Sequence, residues 1–482
     1  MKNLAFASIK ELQLSLAKKE LSSHELLDFF LKRFEKYDQQ LGSALEVFDK
    51  ESILKNYTAQ GILAGIPGII KDNICQQDRI TSCASKILEN FKSTYDATAV
   101  KWLKQEGALM IGRANCDEFA MGSSTETSAY KKTKNPWDFQ RVPGGSSGGS
   151  IAAVAAGLVP WSLGSETGGS VRQPAALCGI VGLKPTYGLV SRYGLVAYSS
   201  SLDQIGVATR TVYDNALVLS AIAGNDTHDS STLSQPKKNY TTNLTGSFAK
   251  GLKIGVIDNA LHAQGMDNEV VVALEESIKT FEKLGATIHH VSLPIMDYGA
   301  AVYFILSRAE AASNLARFDG VRYGLRQEAD SLAQMYAKTR QEGFGKEVKA
   351  RIMIGNYVLS VGHADAFYTN ARLAQGLMRR DFTAMFKQVD LLLAPTQPAP
   401  AFKFGAFDNN KLQMDLQDYF TCPINITGIP ALSIPCGFSS SQLPIGVQLI
   451  GPHLSEEKIF QVAHAYEQAT QWHTMHPAHF LN

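Results

Sequence analysis

Between Gly144 and Gly206 the chain crowds serine and glycine together and almost empties of charge. Polar, glycine-rich sequence normally marks a loop. Here it is interleaved with the apolar runs IAAVAAGLV (151–159) and CGIVGL (178–183), so the segment is expected to be buried or half-buried. Two dense clusters stand out, Gly-Gly-Ser-Ser-Gly-Gly-Ser at 144–150 and Gly-Ser-Glu-Thr-Gly-Gly-Ser at 164–170. A nucleophilic serine needs its Oγ exposed at a sharp turn, where glycine adopts backbone conformations closed to other residues. It also needs backbone N–H groups aimed at a developing oxyanion, which a Thr-Gly-Gly-Ser turn can present in succession. The plainer alternative is a pair of flexible linkers. It suits an isolated Gly-Gly-Ser better than two clusters bracketing an apolar stretch.

A serine nucleophile requires a base. No histidine occurs between Asn73 and Thr227, and His24 is the only one before His228. A remote histidine such as His363 or His453 could still approach in space. Gly144-x-Ser146-x-Gly148 formally matches the nucleophile elbow of α/β-hydrolases. That elbow follows a strand directly, whereas residues 135–143 (NPWDFQRVP) have the composition of a loop. Lysine is the other candidate. Lys71 directly follows Ile69-Ile70, where burial would disfavour the ammonium form and lower its pKa. Most lysines at strand ends are simply solvated, so the position alone decides little.

Taken together, G-I-P-G-I-I-K-D-N around Lys71, G-G-S-S-G-G-S around Ser146, and G-S-E-T-G-G-S-V-R-Q-P-A around Ser170 resemble the amidase signature family. The 24 positions between Ser146 and Ser170 match that family's relay and nucleophile serines. The resemblance implies an α/β amidase signature fold: a large mixed β-sheet core flanked by α-helices on both faces. It also implies roles: Ser170 as nucleophile, Ser146 as relay, Lys71 as base, and the N–H groups of Thr167, Gly168, Gly169 and Ser170 as the oxyanion hole. Glu166 stands where aspartate is usual in the family.

The second half narrows the resemblance. The runs AEAASNLARFDGVRYG (309–324), GFGKEVKARIMIG (343–355) and DYFTCPIN (418–425) are similar to the A-subunit branch of the glutamyl-tRNA(Gln) amidotransferases. That similarity implies hydrolysis of glutamine, with the ammonia passed to a B subunit that uses ATP and Mg2+ to activate mischarged Glu-tRNA(Gln), Asp-tRNA(Asn) being a further candidate. A small C subunit braces the pair. No cofactor and no metal is expected on this chain. Free glutamine presents a carboxylate and an ammonium; Arg351 suits the first as a bidentate cation and Asp418 suits the second. Both stand at positions of the family's substrate residues. Tyr303 and Ser124 are further pocket candidates from the same resemblance, and Ala350 occupies a place where a second basic residue is common. On residue pattern alone Arg351 could equally pair with Glu347 four positions earlier on a helix face, and Ser124 could cap a turn. Two rivals share the Lys-Ser-Ser set or its remnant: a stand-alone amidase for small or aryl amides, and a catalytically dead scaffold.

The rest of the chain is consistent with one large unit. Capping boxes at Ser8-x-x-Glu11 and Ser22-x-x-Glu25 announce two opening helices, and residues 61–70 suggest an apolar strand. The run KIGVI (253–257), a helix over about 268–284 and TIHHVSL (287–293) make a β-α-β pattern whose strands belong to an α/β sheet. Further strands are expected at 389–396, 431–437 and 446–451, with a helix near 456–470. Residues 229–250 are linker-like, between a signature core at about 61–228 and a second half of the same sheet at about 251–482; the N-terminal helices occupy about 1–60. A single amidase domain over 1–482 is expected. The net charge of +1 provides no general field for polyanions, so nucleic acid would be held mainly by a partner. The six cysteines include no C-x-x-C pair and are expected to be reduced and buried. The apolar N-terminal stretch is broken by Lys10 and Glu11, and the longest apolar run is cut by Pro160, short of the roughly 20 residues that span a bilayer. A cytoplasmic location without membrane contact is therefore expected.

Overall fold

A computed structural model describes residues 4–55, 57–261, 263 and 265–481. Eleven strands form one sheet: β1 (Ala44–Val47), β2 (Pro67–Lys71), β3 (Leu109–Ala114), β4 (Trp161–Glu166), β5 (Val181–Lys184), β6 (Gln204–Thr209), β7 (Lys253–Ile257), β8 (Thr287–Val291), β9 (Leu391–Pro395), β10 (Ala431–Phe438) and β11 (Pro444–Ile450). Their spatial order is β1-β3-β2-β4-β6-β5-β10-β11-β9-β7-β8, and the sheet continues across the 229–250 stretch from β5 to β10. It is mixed: β2 runs parallel to both β3 and β4, β7 runs parallel to β8 and β9, and the remaining pairs are antiparallel. Helices cover both faces, so central strands are buried at every position, as continuous apolar residues in β9 (LLLAP) and with buried serines and Glu166 in β4 (WSLGSE).

The expected β-α-β unit is present as β7, a helix over Asn268–Lys283 and β8. Both capping boxes form: the Glu11 N–H donates to Ser8 Oγ and the Glu25 N–H to Ser22 Oγ, each at 3.2 Å, starting the helices Ile9–Ala17 and Ser23–Leu41. One expectation is shortened. The apolar stretch 61–70 is a strand only from Pro67, because Gly61 and Gly65 take φ of +97° and +75° and turn the chain. Within β2, Gly68 is paired with Trp161, and a methyl group there would lie 2.1 Å from the indole. The absent side chain is what admits the largest fully buried ring of the core.

Every residue from Val142 to Cys178 is buried, so the serine-glycine segment is core, not surface loop. It supplies three short helices and strands in succession: α1 (Gly148–Ala155), β4, and α2 (Arg172–Cys178). Ser146 comes off a non-strand segment rather than a strand end, as its composition suggests. Because β2 and β4 are parallel neighbours, their C-terminal ends lie on the same side of the sheet, the usual side for ligands in α/β folds. Lys71 ends β2 and the 167–170 turn follows β4, and this register brings the two together. Two further helices close over that side, α3 (Gly299–Asn314) and α4 (Lys346–Leu359), which pack closely enough that a methyl on Gly355 would meet the Arg308 carbonyl oxygen at 2.0 Å. The six cysteines are all free and buried. Among the described residues, no helix is long and apolar enough to cross a membrane.

Candidate active site

Lys71 is the one charged residue of a strand whose five positions are all buried. Its Nζ donates to Ser146 Oγ at 2.7 Å, Ser147 Oγ at 2.9 Å and the Ser165 carbonyl at 3.3 Å. Burial drives its pKa down from the ordinary lysine value of 10.5 to about 8, opposed by Cys116, Asp117 and Asp203. An amine so shifted is roughly one-tenth uncharged at pH 7 and half uncharged near pH 8, against well under about a thousandth at pH 7 for an ordinary lysine. Ser147, adjacent to Ser146, is a contact that sequence reasoning missed. The motif holds two neighbouring serines, and composition does not say which points inward.

The peptide bond between Gly145 and Ser146 is cis. The loop around it is held from two sides: the Asp117 N–H donates to the Ser146 carbonyl at 3.1 Å, and the Gly145 N–H donates to Gln173 Oε1 at 2.9 Å. Asp117 itself is fully buried and accepts from the Thr125 N–H (2.8 Å) and the Thr127 hydroxyl (2.9 Å), so it ties loop 122–127 to the serine loop.

Ser170 ends the turn after β4. Its carbonyl accepts from the Ser147 N–H at 3.1 Å, which fixes the two serine clusters against each other. Its hydroxyl makes no hydrogen bond among the described residues, and neither do the N–H groups of Thr167, Gly168, Gly169 and Ser170. The next two N–H groups are taken. Val171 and Arg172 donate to Glu166 Oε2 at 3.0 and 2.9 Å, and Arg172 Nε donates to Glu166 Oε1 at 2.7 Å. Glu166 therefore holds the turn from below. Arg172 is fully buried and continues to Asn425 Oδ1 (2.7 Å) and the Thr421 carbonyl (2.9 Å). Thr167 Oγ1 donates to Asp203 at 2.6 Å, and burial lifts the Asp203 carboxyl to about 6 against that bond and two backbone N–H donors.

The substrate candidates divide. Tyr303 on α3 lies over the turn: a methyl on Gly168 would meet its ring at 2.6 Å. A methyl on Gly169, whose φ is +150°, would meet Thr421 Oγ1 at 2.3 Å and Asp418 Oδ1 at 3.1 Å. The turn is thus glycine because Tyr303, Thr421 and Asp418 crowd its open face. Asp418 accepts from Ser123 Oγ at 2.6 Å through Oδ2, while its buried Oδ1 has no partner; burial raises its pKa to about 7. Arg351 is buried on α4, donating from Nε to Glu347 at 2.9 Å and from Nη1 to Tyr198 Oη at 2.7 Å. Burial works against its charge, but Tyr198 and Glu347 more than compensate, so it stays protonated. The i,i+4 partner foreseen as the plainer alternative is present, yet the guanidinium is buried rather than solvated. For Ser124 the structure shows the capping alternative. Its hydroxyl accepts from the Glu126 N–H at 3.4 Å and its N–H donates to Asp117, a turn-capping arrangement; the neighbouring Ser123 is the serine bonded to Asp418. Among the described residues no cluster of His, Cys, Asp or Glu could hold a metal ion.

The amidase family model matches residues 25–460. The chain is 50% identical to the glutamyl-tRNA(Gln) amidotransferase A subunit of a Cyanothece species, over 98% of this chain and 99% of that protein. It is 51% identical to the protein of the same name from Listeria monocytogenes, over 98% of each. The crystal structure of the glutamyl-tRNA(Gln) amidotransferase A subunit from Thermotoga maritima superposes with a TM-score of 0.84 at 41% identity, covering 97% of this chain and 96% of that one. Full-length identity of this degree leaves one conclusion: the chain belongs to the amidase family, on the branch of the glutamyl-tRNA(Gln) amidotransferase A subunits.

Proposed function

We propose that the chain, acting as a single amidase domain, hydrolyses the side-chain amide of glutamine and supplies the ammonia for transamidation of Glu-tRNA(Gln). The observation that carries this reading is the buried amine of Lys71, 2.7 Å from the Ser146 hydroxyl and with its pKa lowered to about 8, beside a serine-ended turn with four undonated N–H groups.

The Lys71–Ser146 half of the relay is formed, and the Ser170 hydroxyl, which has no partner among the described residues, turns to Ser146 Oγ when substrate binds. Ser170 Oγ then attacks the amide carbon while its proton passes to Ser146 Oγ and the Ser146 proton passes to Lys71 Nζ. A neutral lysine amine keeps two N–H bonds and one lone pair. Ser147 Oγ and the Ser165 carbonyl accept the two N–H groups, which leaves the lone pair for Ser146. The tetrahedral oxyanion is met by the N–H groups of residues 167–170, each such donor contributing on the order of 3 kcal/mol to transition-state stabilisation. The C–N bond then breaks, the leaving nitrogen takes the proton back along the same path, and ammonia departs from an acyl-Ser170 ester. Water attacks the ester through the same relay, giving glutamate and restoring the serine.

Recognition rests on Arg351 for the α-carboxylate and Asp418 for the α-ammonium. A buried carboxylate oxygen without a partner supports the second role, because leaving it unpaired is costly and a cation would satisfy it. Such a pair favours a free amino acid over a small neutral or aryl amide. The ammonia goes to a B subunit that activates the mischarged tRNA with ATP and Mg2+, braced by a C subunit, in the cytoplasm; this chain binds neither nucleotide nor metal. Its near-neutral charge supports leaving the tRNA mainly to the partner.

Co-expression with B and C subunits should yield a complex that converts Glu-tRNA(Gln) to Gln-tRNA(Gln) in the presence of glutamine and ATP. Failure of the complex to release glutamate from glutamine would refute the proposal. Arg351→Ala is expected to raise KM for glutamine about ten- to hundredfold, the loss of a charged hydrogen-bonded clamp. Turnover of a small neutral amide should hardly change, and an equal effect on both would remove Arg351 from the pocket.

A further inference from the structure

Arg351 and the oxyanion turn sit on separate parts of the fold: α4 carries the guanidinium, and the end of β4 carries the turn. For a substrate to be selected by its α-carboxylate, the distance between the two must be fixed. Glu347 cannot fix it, because it lies one helical turn away on the same helix and travels with Arg351. The other partner is Tyr198, whose side chain is 1% exposed and whose Oη accepts from Arg351 Nη1 at 2.7 Å. Nη2 makes no hydrogen bond among the described residues, so one edge of the fork remains for a ligand.

Tyr198 is itself tied to the turn. Its N–H donates to Asp203 Oδ2 at 2.9 Å, and Asp203 Oδ1 accepts from Thr167 Oγ1 at 2.6 Å, the first residue of the turn. Asn314 Nδ2 donates to the Tyr198 carbonyl at 3.2 Å, and Ser199 Oγ and the Ser201 N–H both donate to Glu310, each at 2.9 Å. The segment 198–203 is therefore held between α3 and the turn. A continuous path of short contacts runs Thr167–Asp203–Tyr198–Arg351.

We propose that Tyr198 is a positioning residue that sets substrate specificity: its phenol holds the Arg351 fork at a fixed reach from the oxyanion turn, so that an amide one glutamine length away from a carboxylate is accepted. Arginine carries large side-chain entropy, and a buried partner anchored to the reacting end removes that freedom in the orientation the carboxylate needs. Tyr198 does not touch the reacting atoms and acts through Arg351. The inference rests on the reading of Arg351 as carboxylate clamp given under Proposed function.

The test is Tyr198→Phe in the full chain assembled with its partner subunits, assayed on L-glutamine and on 4-aminobutanamide. The second substrate keeps the amide and the amine but lacks the carboxylate. Removing the phenol oxygen should lower kcat/KM for glutamine about ten- to hundredfold through KM, with kcat within about threefold, and leave 4-aminobutanamide within about twofold. An equal loss on both substrates, including outright loss of folded protein, overturns the proposal, because the phenol would then serve the fold. No change on either overturns it as well, because the reach would then be set elsewhere. If the unsubstituted complex hydrolyses glutamine normally and only the Phe variant disagrees, the positioning role fails while the glutaminase reading stands. If the unsubstituted complex does not hydrolyse glutamine, both fall.

Discussion

Ser170→Ala should reduce glutamine hydrolysis by at least about 10^4-fold, since removal of a covalent nucleophile costs nearly the whole of a triad's contribution. The Ser170 hydroxyl makes no hydrogen bond among the described residues, so alanine leaves no buried donor or acceptor unpaired, and the unfolding midpoint should hold. Transamidation of Glu-tRNA(Gln) by the assembled complex, driven by added ammonium chloride in place of glutamine, should continue at close to the unsubstituted rate. Glutamate release and Gln-tRNA formation measured on the same preparation separate the two activities. Simultaneous loss of both would mean that the substitution damages folding or assembly, and the nucleophile assignment would lose its support.

Lys71→Met is the second large effect. Methionine nearly conserves the volume and removes the amine from a site where it is entirely buried. Loss of the general base should lower kcat by about 10^2- to 10^4-fold. The pH profile carries the sharper information. The base works only when uncharged, and the Lys71 pKa is lowered to about 8, so activity rises with pH toward that value and levels above it. Between pH 7 and 8, kcat/KM for glutamine should climb about fivefold, as the uncharged fraction of Lys71 rises from roughly one-tenth to one-half. Below pH 7 the slope should steepen, because Asp418, raised to about 7 by burial, takes up a proton and loses its attraction for the substrate ammonium. The residual activity of Lys71→Met should lack the rise toward pH 8 while keeping the Asp418 limb. A profile in which the unsubstituted protein is flat from pH 6.5 to 8.5 would leave the amine without a role as base.

These expectations lean on a site whose chemical parts stand in three short motifs and whose geometry does not. The glycine turn and the buried, apolar character of the 144–206 segment could be read along the chain because each depends on local sequence, whereas the roles of Lys71, Ser146 and Ser170 came from the family resemblance of their three motifs. A serine can be exposed at a turn only where glycine permits it, and an apolar run cannot remain in water at low cost. Helix starts at Ser8 and Ser22 and the β7-helix-β8 unit were legible for the same reason: capping and periodicity act over a few residues.

Long-range neighbours were not legible. Nothing in the residues 121–127 (MGSSTET) says that Ser123 rather than Ser124 reaches Asp418, 295 positions away; a one-residue shift in a tight loop reverses which hydroxyl points inward. Asp203 and Tyr198 lie inside the charge-poor 144–206 segment without any motif of their own, and their importance comes from which backbone and side chain they meet. An acidic residue two positions before the apolar run Ile205–Ala208 is the one signal that could have flagged Asp203. The chain by itself supplied the candidate hydroxyls, amine and glycine turn, because residue type and short spacing are local, and the resemblance of the motifs gave them their roles. Only the tertiary structure decided that the lysine amine is dry, that four N–H groups remain open, and that Arg351 is buried against Tyr198. Those depend on the packing of β2 against β4 and of α3 against α4, which sequence distance does not encode.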